Sequence, residues 1–210
     1  MATTFKSAIP LAAALLAIAA LGSCGDQGTR AAGDTKNEID AIAAEASRLL
    51  PDDFKGVCSG ASVSNATAYD PGAKAHKVLY FGTYGDDLVD KSMSLPDDWT
   101  VRFSSESDTL RAVDLVVCAK RTAAQQVKVC DGYENDGKPT QNKVRWHTAT
   151  YELSVREART GRTLAEKTVE ATDSKCPWFM NFDNDTDTVD DYARLSDSTV
   201  TDFLTPHIAR

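Results

Sequence analysis

Cys58 lies in the pattern Gly56-Val57-Cys58-Ser59-Gly60, which can present a nucleophilic thiol. In the nucleophile elbow of hydrolases, this spacing places the nucleophile on a sharp turn between a buried strand and a helix. The preceding residues, 51–55, read Pro-Asp-Asp-Phe-Lys, which is typical of a loop, and the polar residues 62–65 follow. The strand and the helix that an elbow needs are therefore not predicted, and we interpret Cys58 as a structural cysteine.

The three histidines, His76, His147 and His207, are far apart in the sequence and show no metal-ligand spacing such as His-x-x-x-His. The sequence contains no Gly-x-Ser-x-Gly motif, no Ser-x-x-Lys motif and no phosphate-binding glycine loop. His147 has the same strand parity as Ala149 and Tyr151, which favours a core or rim histidine with one hydrogen-bond partner over a catalytic base. We therefore expect a protein that acts without catalysis and without a cofactor. An extracytoplasmic hydrolase is the alternative.

An acidic stretch contains the most specific metal signal, since Asp183, Asp185 and Asp187 alternate as the first ligands of a calcium loop do. The sixth position of such a loop is glycine and the twelfth is glutamate, whereas this chain has Thr188 and Arg194 there. The pattern therefore predicts a solvated acidic loop. A calcium-dependent protein that uses these aspartates is the weaker alternative.

Three tryptophans are candidates for a ligand or partner surface. Trp146 has the opposite strand parity to Tyr151, which predicts that it lies on the open face of a sheet. Trp178 belongs to the apolar sequence Pro-Trp-Phe-Met at residues 177–180, beside Cys176. We expect Trp146 and Trp178 to be the binding residues, and Trp99 is a third candidate.

The disulfide framework is predicted to consist of two bridges among Cys58, Cys118, Cys130 and Cys176, because an even number of cysteines in an exported chain is typical of such a framework. Residues 112–120 and 125–131 are β-rich runs joined by a short polar link at 121–124. Folded as a hairpin, they place Cys118 across from Cys130. This predicts a Cys118–Cys130 bridge and, for the remaining pair, a Cys58–Cys176 bridge.

The N-terminal segment has the features of an export signal: Lys6, then an apolar run over residues 8–21 that is too short to span a membrane. Leu21-Gly22-Ser23-Cys24 follows and resembles the lipobox of bacterial lipoproteins. The resemblance implies removal of residues 1–23 and a diacylglyceride with acyl chains such as palmitate on Cys24. We expect a protein attached to the extracytoplasmic face of the cell membrane through this lipid.

Composition supports one acidic domain outside the membrane. The chain carries 31 Asp and Glu against 23 Lys and Arg, a formal net charge of −8, which disfavours binding to the phosphates of nucleic acids. No second apolar run has the length of a membrane span. We predict a flexible tether over residues 24–34 and a single domain over residues 35–210, with the membrane as a partner through the lipid and another envelope protein as a possible second partner.

The expected fold is α+β, an antiparallel sheet with amphipathic N- and C-terminal helices on one face and two disulfides. A capping box at Thr35 and Glu38 starts a helix that Pro51 ends. A buried strand is predicted at 77–84, a short one at 99–103 and an alternating one at 149–156, followed by a turn at 158–161 and a return strand at 163–171. A last helix covers residues 195–204 and ends before Pro206.

Part of the chain is similar to an uncharacterised family of bacterial exported domains. The similarity rests on residues 113–118, 129–130, 151–166 with the Ala158-Arg159-Thr160-Gly161 turn, and Cys176-Pro177. It implies the hairpin disulfide and supplies no activity. The same turn is also similar to that of periplasmic assembly lipoproteins. Together these features predict a lipid-anchored binding or assembly module of the cell envelope.

Overall fold

The computed structural model describes residues 48–105, 107–182 and 186–208. Cys24 and nearly all of the predicted N-terminal helix lie outside these residues. The described part contains eight strands, one α-helix and three short 3-10 helices. The strands are β1 Val78–Tyr84, β2 Asp87–Asp90, β3 Leu115–Cys130, β4 Glu134–Asn135, β5 Lys138–Pro139, β6 Lys143–Glu157, β7 Thr163–Ala171 and β8 Thr188–Tyr192; the helix is α1 Asp197–Ile208; the 3-10 helices are Pro51–Ser59, Ser92–Ser94 and Thr109–Ala112.

Six of the strands form one sheet in the order β2-β1-β3-β6-β7, with β8 also paired to β6. The β1–β2, β3–β6 and β6–β7 pairs are antiparallel, while β1–β3 and β6–β8 are parallel. Strand β6 is long enough to pair with β7 over residues 149–156 and with β8 over residues 143–147. The predicted α+β class with a mostly antiparallel sheet is confirmed.

The two faces of the sheet carry separate apolar clusters, because alternate residues of a strand point to opposite faces. Val78 and Tyr80 of β1 belong to the cluster that also contains Val200, Leu204 and Ile208 of α1. Leu79 and Phe81 belong to the other cluster, which contains Phe54 and Val57 of the first 3-10 helix. The described helical segments therefore cover both faces. The predicted N-terminal helix lies almost wholly outside the described residues, so its packing on the same face as α1 stays a prediction.

Pro51 begins a helical segment instead of ending one. Leu50 is extended, with φ −108° and ψ 156°, and the nine-residue 3-10 helix Pro51–Ser59 follows it. Proline disfavours the α conformation in the residue before it and suits the first turn of a helix. The Leu50 backbone N–H donates to the Asp53 carboxylate at 2.7 Å, which satisfies a donor at the start of the segment. The predicted loop at residues 51–55 is thus helical.

Strand β3 runs without interruption through residues 121–124, which were predicted to link two strands. Cys118 and Cys130 therefore lie on one strand, about 40 Å apart at roughly 3.3 Å per residue, and cannot form a bridge. The observed bridges are Cys58–Cys118 and Cys130–Cys176, with Cα–Cα distances of 5.6 and 5.9 Å. All four cysteines are bridged, but both predicted pairings are wrong.

The other predicted elements are largely present. The β6–β7 hairpin and the β1 strand are confirmed, whereas residues 99–103 contribute only a single bridge, from Thr100 to Val78. Helix α1 continues past Pro206 to Ile208. In the described part of the chain, no helix combines the length and the hydropathy needed to cross a membrane.

Candidate binding site

A cavity of about 630 Å³ lies where the end of β3, the β4–β5 hairpin and the loop after β7 meet. The Cys130–Cys176 bridge joins the last residue of β3 to this loop. The Tyr133 hydroxyl donates to the Pro177 carbonyl at 3.1 Å, which adds a second link across the cavity. Two chain segments distant in sequence are therefore held together at one site, which we call the loop cavity (residues 131–142 and 176–182).

The β4–β5 hairpin that forms one wall has a tight turn at Asp136 and Gly137. Both residues have positive φ, 51° and 72°. A two-residue hairpin turn of this kind requires positive φ at both positions, and Asp-Gly is among its preferred sequences. The sequence prediction missed this hairpin, although Asp136-Gly137 was the signal that would have revealed it.

Two pairs of aromatic side chains line the loop cavity, one half-buried and one exposed. Tyr133 and Phe182 pack edge to face, with 5.4 Å between ring centroids, and both are half-buried. Trp178 and Phe179 lie at the rim, with 94% and 61% of their surface exposed and 5.8 Å between ring centroids. The two aromatic rings of the apolar sequence at residues 177–180 therefore face solvent.

Polar side chains complete the lining. They comprise two acids, a threonine and three amides: Asp131, Glu134, Thr140, Asn135, Asn142 and Asn181. Thr140 Oγ1 donates to the Tyr133 carbonyl at 2.8 Å. The acid and amide side chains make no hydrogen bond or ion pair with another described residue. Several donors and acceptors of the cavity are thus available to a ligand.

Trp146 is buried in the core and does not line the loop cavity. It does have the opposite parity to Tyr151, but only 6% of its surface is exposed. The loop after β7 covers this face, and the Trp146 indole N–H donates to the Asp173 carbonyl at 2.7 Å. The prediction of an exposed Trp146 is wrong because the alternation of side chains along β6 does not continue from Trp146 to Ala149: the two residues are three apart, yet both are buried in the cluster that contains Tyr151. Trp99 is half-buried against the core near the start of β1, where its carbonyl accepts from the Val78 N–H at 2.8 Å.

No known family model, curated protein or solved structure matches the chain.

The three histidines have separate surroundings. His76 is buried and lies 2.5 Å from the Asp114 carboxylate through Nδ1. His147 stacks on the Tyr192 ring, with 4.9 Å between centroids. His207 is in α1, where burial lowers its pKa. The structure thus places each histidine with a different set of partners, and none of them lines the loop cavity.

The acidic stretch is only partly described, since Asp183 and Asp185 lie outside the described residues. Asp187 is exposed, and the residues after it form β8 instead of a solvated loop. Asp190 accepts two hydrogen bonds from the Arg145 guanidinium, at 2.7 and 2.6 Å, which lower the pKa of the Asp190 carboxyl. The described residues contain no group of three His, Cys, Asp or Glu side chains placed to hold a metal ion.

Two smaller cavities, of about 220 and 200 Å³, share a wall formed by Thr83, Tyr151 and Arg194. Some of their polar groups already have partners within the protein. The Arg121 guanidinium lies 3.5 Å from the centroid of the Tyr192 ring. Burial raises the pKa of Tyr80 to about 12, so that this phenol stays neutral. The larger loop cavity, with its exposed rings and unpaired polar groups, is therefore the candidate site.

Proposed function

We propose that the protein is a non-catalytic binding module of the cell envelope, held at the membrane by a lipid on Cys24, and that the loop cavity binds its ligand. The main support for the proposal is that 94% of the surface of Trp178 is exposed at the rim of a cavity of about 630 Å³. Ligand-binding cavities have volumes of about 300–1,000 Å³ and combine aromatic walls with a few polar groups.

The covalent support of the loop is a second argument for binding. Exposing a large indole ring to water forgoes the free energy that burial would contribute, about 25 cal/mol per Å² of apolar surface. Trp178 is two residues from Cys176, whose bridge fixes the loop against the end of β3. A rim fixed before binding loses less conformational entropy when the ligand arrives. Trp178 is thus both available and preorganised.

The envelope location has independent support in the cysteines. Two disulfides are typical of proteins that fold outside the reducing cytoplasm. This agrees with the lipobox resemblance at Leu21-Gly22-Ser23-Cys24, which implies lipid modification. The membrane then keeps the binding cavity near envelope components.

Photo-crosslinking in intact cells tests the proposal. A benzophenone amino acid replaces Phe179 at the cavity rim, and the same amino acid replaces Tyr84 as a control, because both residues are 61% exposed. We expect a defined adduct from position 179 that is absent from position 84 and is lost when Trp178→Ala is added. Identical adduct patterns from both positions would overturn the proposed site.

The anchor is tested separately with Cys24→Ala. We expect the wild-type chain to fractionate with membranes and to incorporate labelled palmitate, and the variant to be unlabelled and either unprocessed or released. If the variant keeps the label and the membrane association, Cys24 is not the lipidation site.

A further inference from the structure

We infer that the loop cavity binds a neutral saccharide. This inference rests on the proposed function, since it names the ligand class of the same site. The main support is that an exposed indole ring lies at one cavity together with several amide and carboxylate side chains that no described residue pairs with. A pyranose ring presents a face of C–H groups and a rim of hydroxyl groups, and it can therefore contact both kinds of group at once.

The charge of the cavity selects against anionic ligands. Asp131 and Glu134 are the charged residues among the described lining residues, and both are acidic. The chain as a whole has a net charge of −8. Phosphate groups and sugar carboxylates would meet like charge at close range without a basic partner in the lining. A neutral ligand avoids this repulsion.

The aromatic rim supplies a platform for the C–H face of a sugar. Trp178 and Phe179 are adjacent, and their ring planes are inclined at 46°. An aromatic ring carries negative charge on its face, which attracts the weakly positive C–H groups of a sugar ring, and the contact also removes apolar surface from water. Two inclined rings present platforms in different orientations, which suits a bent chain of sugar units.

The polar wall supplies partners for the hydroxyl groups. The amides of Asn135, Asn142 and Asn181 each offer two N–H donors and an acceptor oxygen. The carboxylates of Asp131 and Glu134 accept hydrogen bonds, which are stronger when the acceptor is charged. Hydroxyl groups both donate and accept, so they match this mixture.

A purely apolar ligand fits less well, because covering the amides and carboxylates without new hydrogen bonds costs free energy for each buried polar group. A cationic ligand would be attracted to Asp131, Glu134 and the Trp178 ring. A quaternary ammonium group offers no acceptor and choline has only one hydroxyl oxygen, so it would leave most amide donors of the wall without a ligand partner, whereas each sugar unit offers several hydroxyl oxygens. A saccharide therefore fits the amide donors of the wall better than a cationic ligand does.

The test is titration of the purified full-length protein, kept in a polyoxyethylene detergent that carries no sugar headgroup. The probes are chitotetraose, maltotetraose and cellotetraose as neutral ligands, tetragalacturonate as the anionic one and choline as the cationic one. Calorimetry and tryptophan emission report binding. We expect at least one neutral tetrasaccharide to bind with a Kd below about 1 mM, and tetragalacturonate and choline not to bind.

The variants locate the binding. Trp178→Ala and Asn142→Ala should each weaken binding of the neutral tetrasaccharide at least tenfold, and Tyr84→Ala, which removes an exposed ring outside the loop cavity, should leave the Kd unchanged. Preferential binding of tetragalacturonate or choline, or no binding of any neutral probe, overturns the saccharide inference. The proposed function then still stands if the position-179 adduct forms in cells, and it fails if that adduct is also missing.

Discussion

Cys130 and Cys176 join the far end of β3 to the loop that carries Trp178, with 5.9 Å between their Cα atoms. The second bridge, Cys58–Cys118, joins the first 3-10 helix to the buried half of the same strand. One bridge thus supports the candidate site and the other supports the core. Their removal should have different consequences.

Replacing both Cys130 and Cys176 by alanine should release the loop from β3. Each bridge closes a loop of several tens of residues, 46 in this case, so its loss should lower the free energy of unfolding by about 2–4 kcal/mol. We also expect faster trypsin cleavage after Lys175, which is exposed and adjacent to the lost bridge. The Cys58→Ala/Cys118→Ala double variant is the matched control, with a similar loss of stability and no selective cleavage at Lys175. Peptide mapping without reduction checks the pairing itself.

Gly161 occupies a backbone position that an alanine cannot adopt without displacing its neighbours. Its φ is +71°, and a Cβ atom there would lie 2.4 Å from the Ala61 carbonyl oxygen. Gly85 has a similar φ of +58° with open space around it. Both alanine variants incur the strain of positive φ. We expect Gly161→Ala to be less stable than Gly85→Ala by about 1–3 kcal/mol in denaturant unfolding, because only the former displaces packed backbone. Equal losses would show that residues 60–61 do not pack on this turn.

The β6–β7 hairpin was predictable from sequence because its signals are local. Residues 149–156 alternate between apolar and polar side chains, and Gly161 marks the turn. Strand β3 was not predictable in the same way. Its second half is mostly exposed, so residues 121–124 have the composition of a polar link although they continue the strand. The wrong cysteine pairing followed from that single error.

The candidate site was predictable only in part. Trp178 stood out as an aromatic residue beside a cysteine, and the structure places it at the cavity rim. The polar wall contains Asn135 and Asn142, which have no distinctive sequence pattern and come to the site through the β4–β5 hairpin. Trp146 shows the limit of strand parity, because the alternation along β6 is broken between Trp146 and Ala149, and Trp146 is buried in the same cluster as Tyr151.

Replacing Trp146 by alanine should lower the free energy of unfolding far more than replacing Trp178 by alanine. Trp146 is buried and hydrogen-bonded to the Asp173 carbonyl, so Trp146→Ala should cost about 3–5 kcal/mol of unfolding free energy. Trp178→Ala should change stability by less than about 0.5 kcal/mol, because its ring is exposed. Denaturant unfolding measures both values. Acrylamide quenching gives a second check, since removing Trp178 should remove the most accessible emission. A large stability loss for Trp178→Ala would assign that ring to the core.

Glu157 should make the stability of the fold depend on pH. The Arg162 guanidinium, followed by the Thr160 hydroxyl, donates hydrogen bonds that lower the pKa of the Glu157 carboxyl below its usual 4.5. The folded state binds this proton less readily than the unfolded state. The contribution of the Glu157 carboxylate to the free energy of unfolding is therefore fully present above pH 4.5. It is lost as the pH falls through the folded-state pKa. The Glu157→Gln variant should therefore be less stable than the wild type at pH 7, and the difference should shrink as the pH approaches 3.

Glu152 provides the control for this measurement, because it is exposed on the same strand and makes no ion pair with another described residue. The free energy of unfolding of Glu152→Gln should follow that of the wild type from pH 3 to pH 7. Denaturant unfolding at several pH values between 3 and 7 yields the three curves. Since Arg162 stays charged throughout and the other carboxyl groups are common to both proteins, the difference between the Glu157→Gln and wild-type curves reports the Glu157 carboxyl. A constant offset between Glu157→Gln and the wild type at every pH would mean that the side chain stabilises the hairpin through packing and not through its charge.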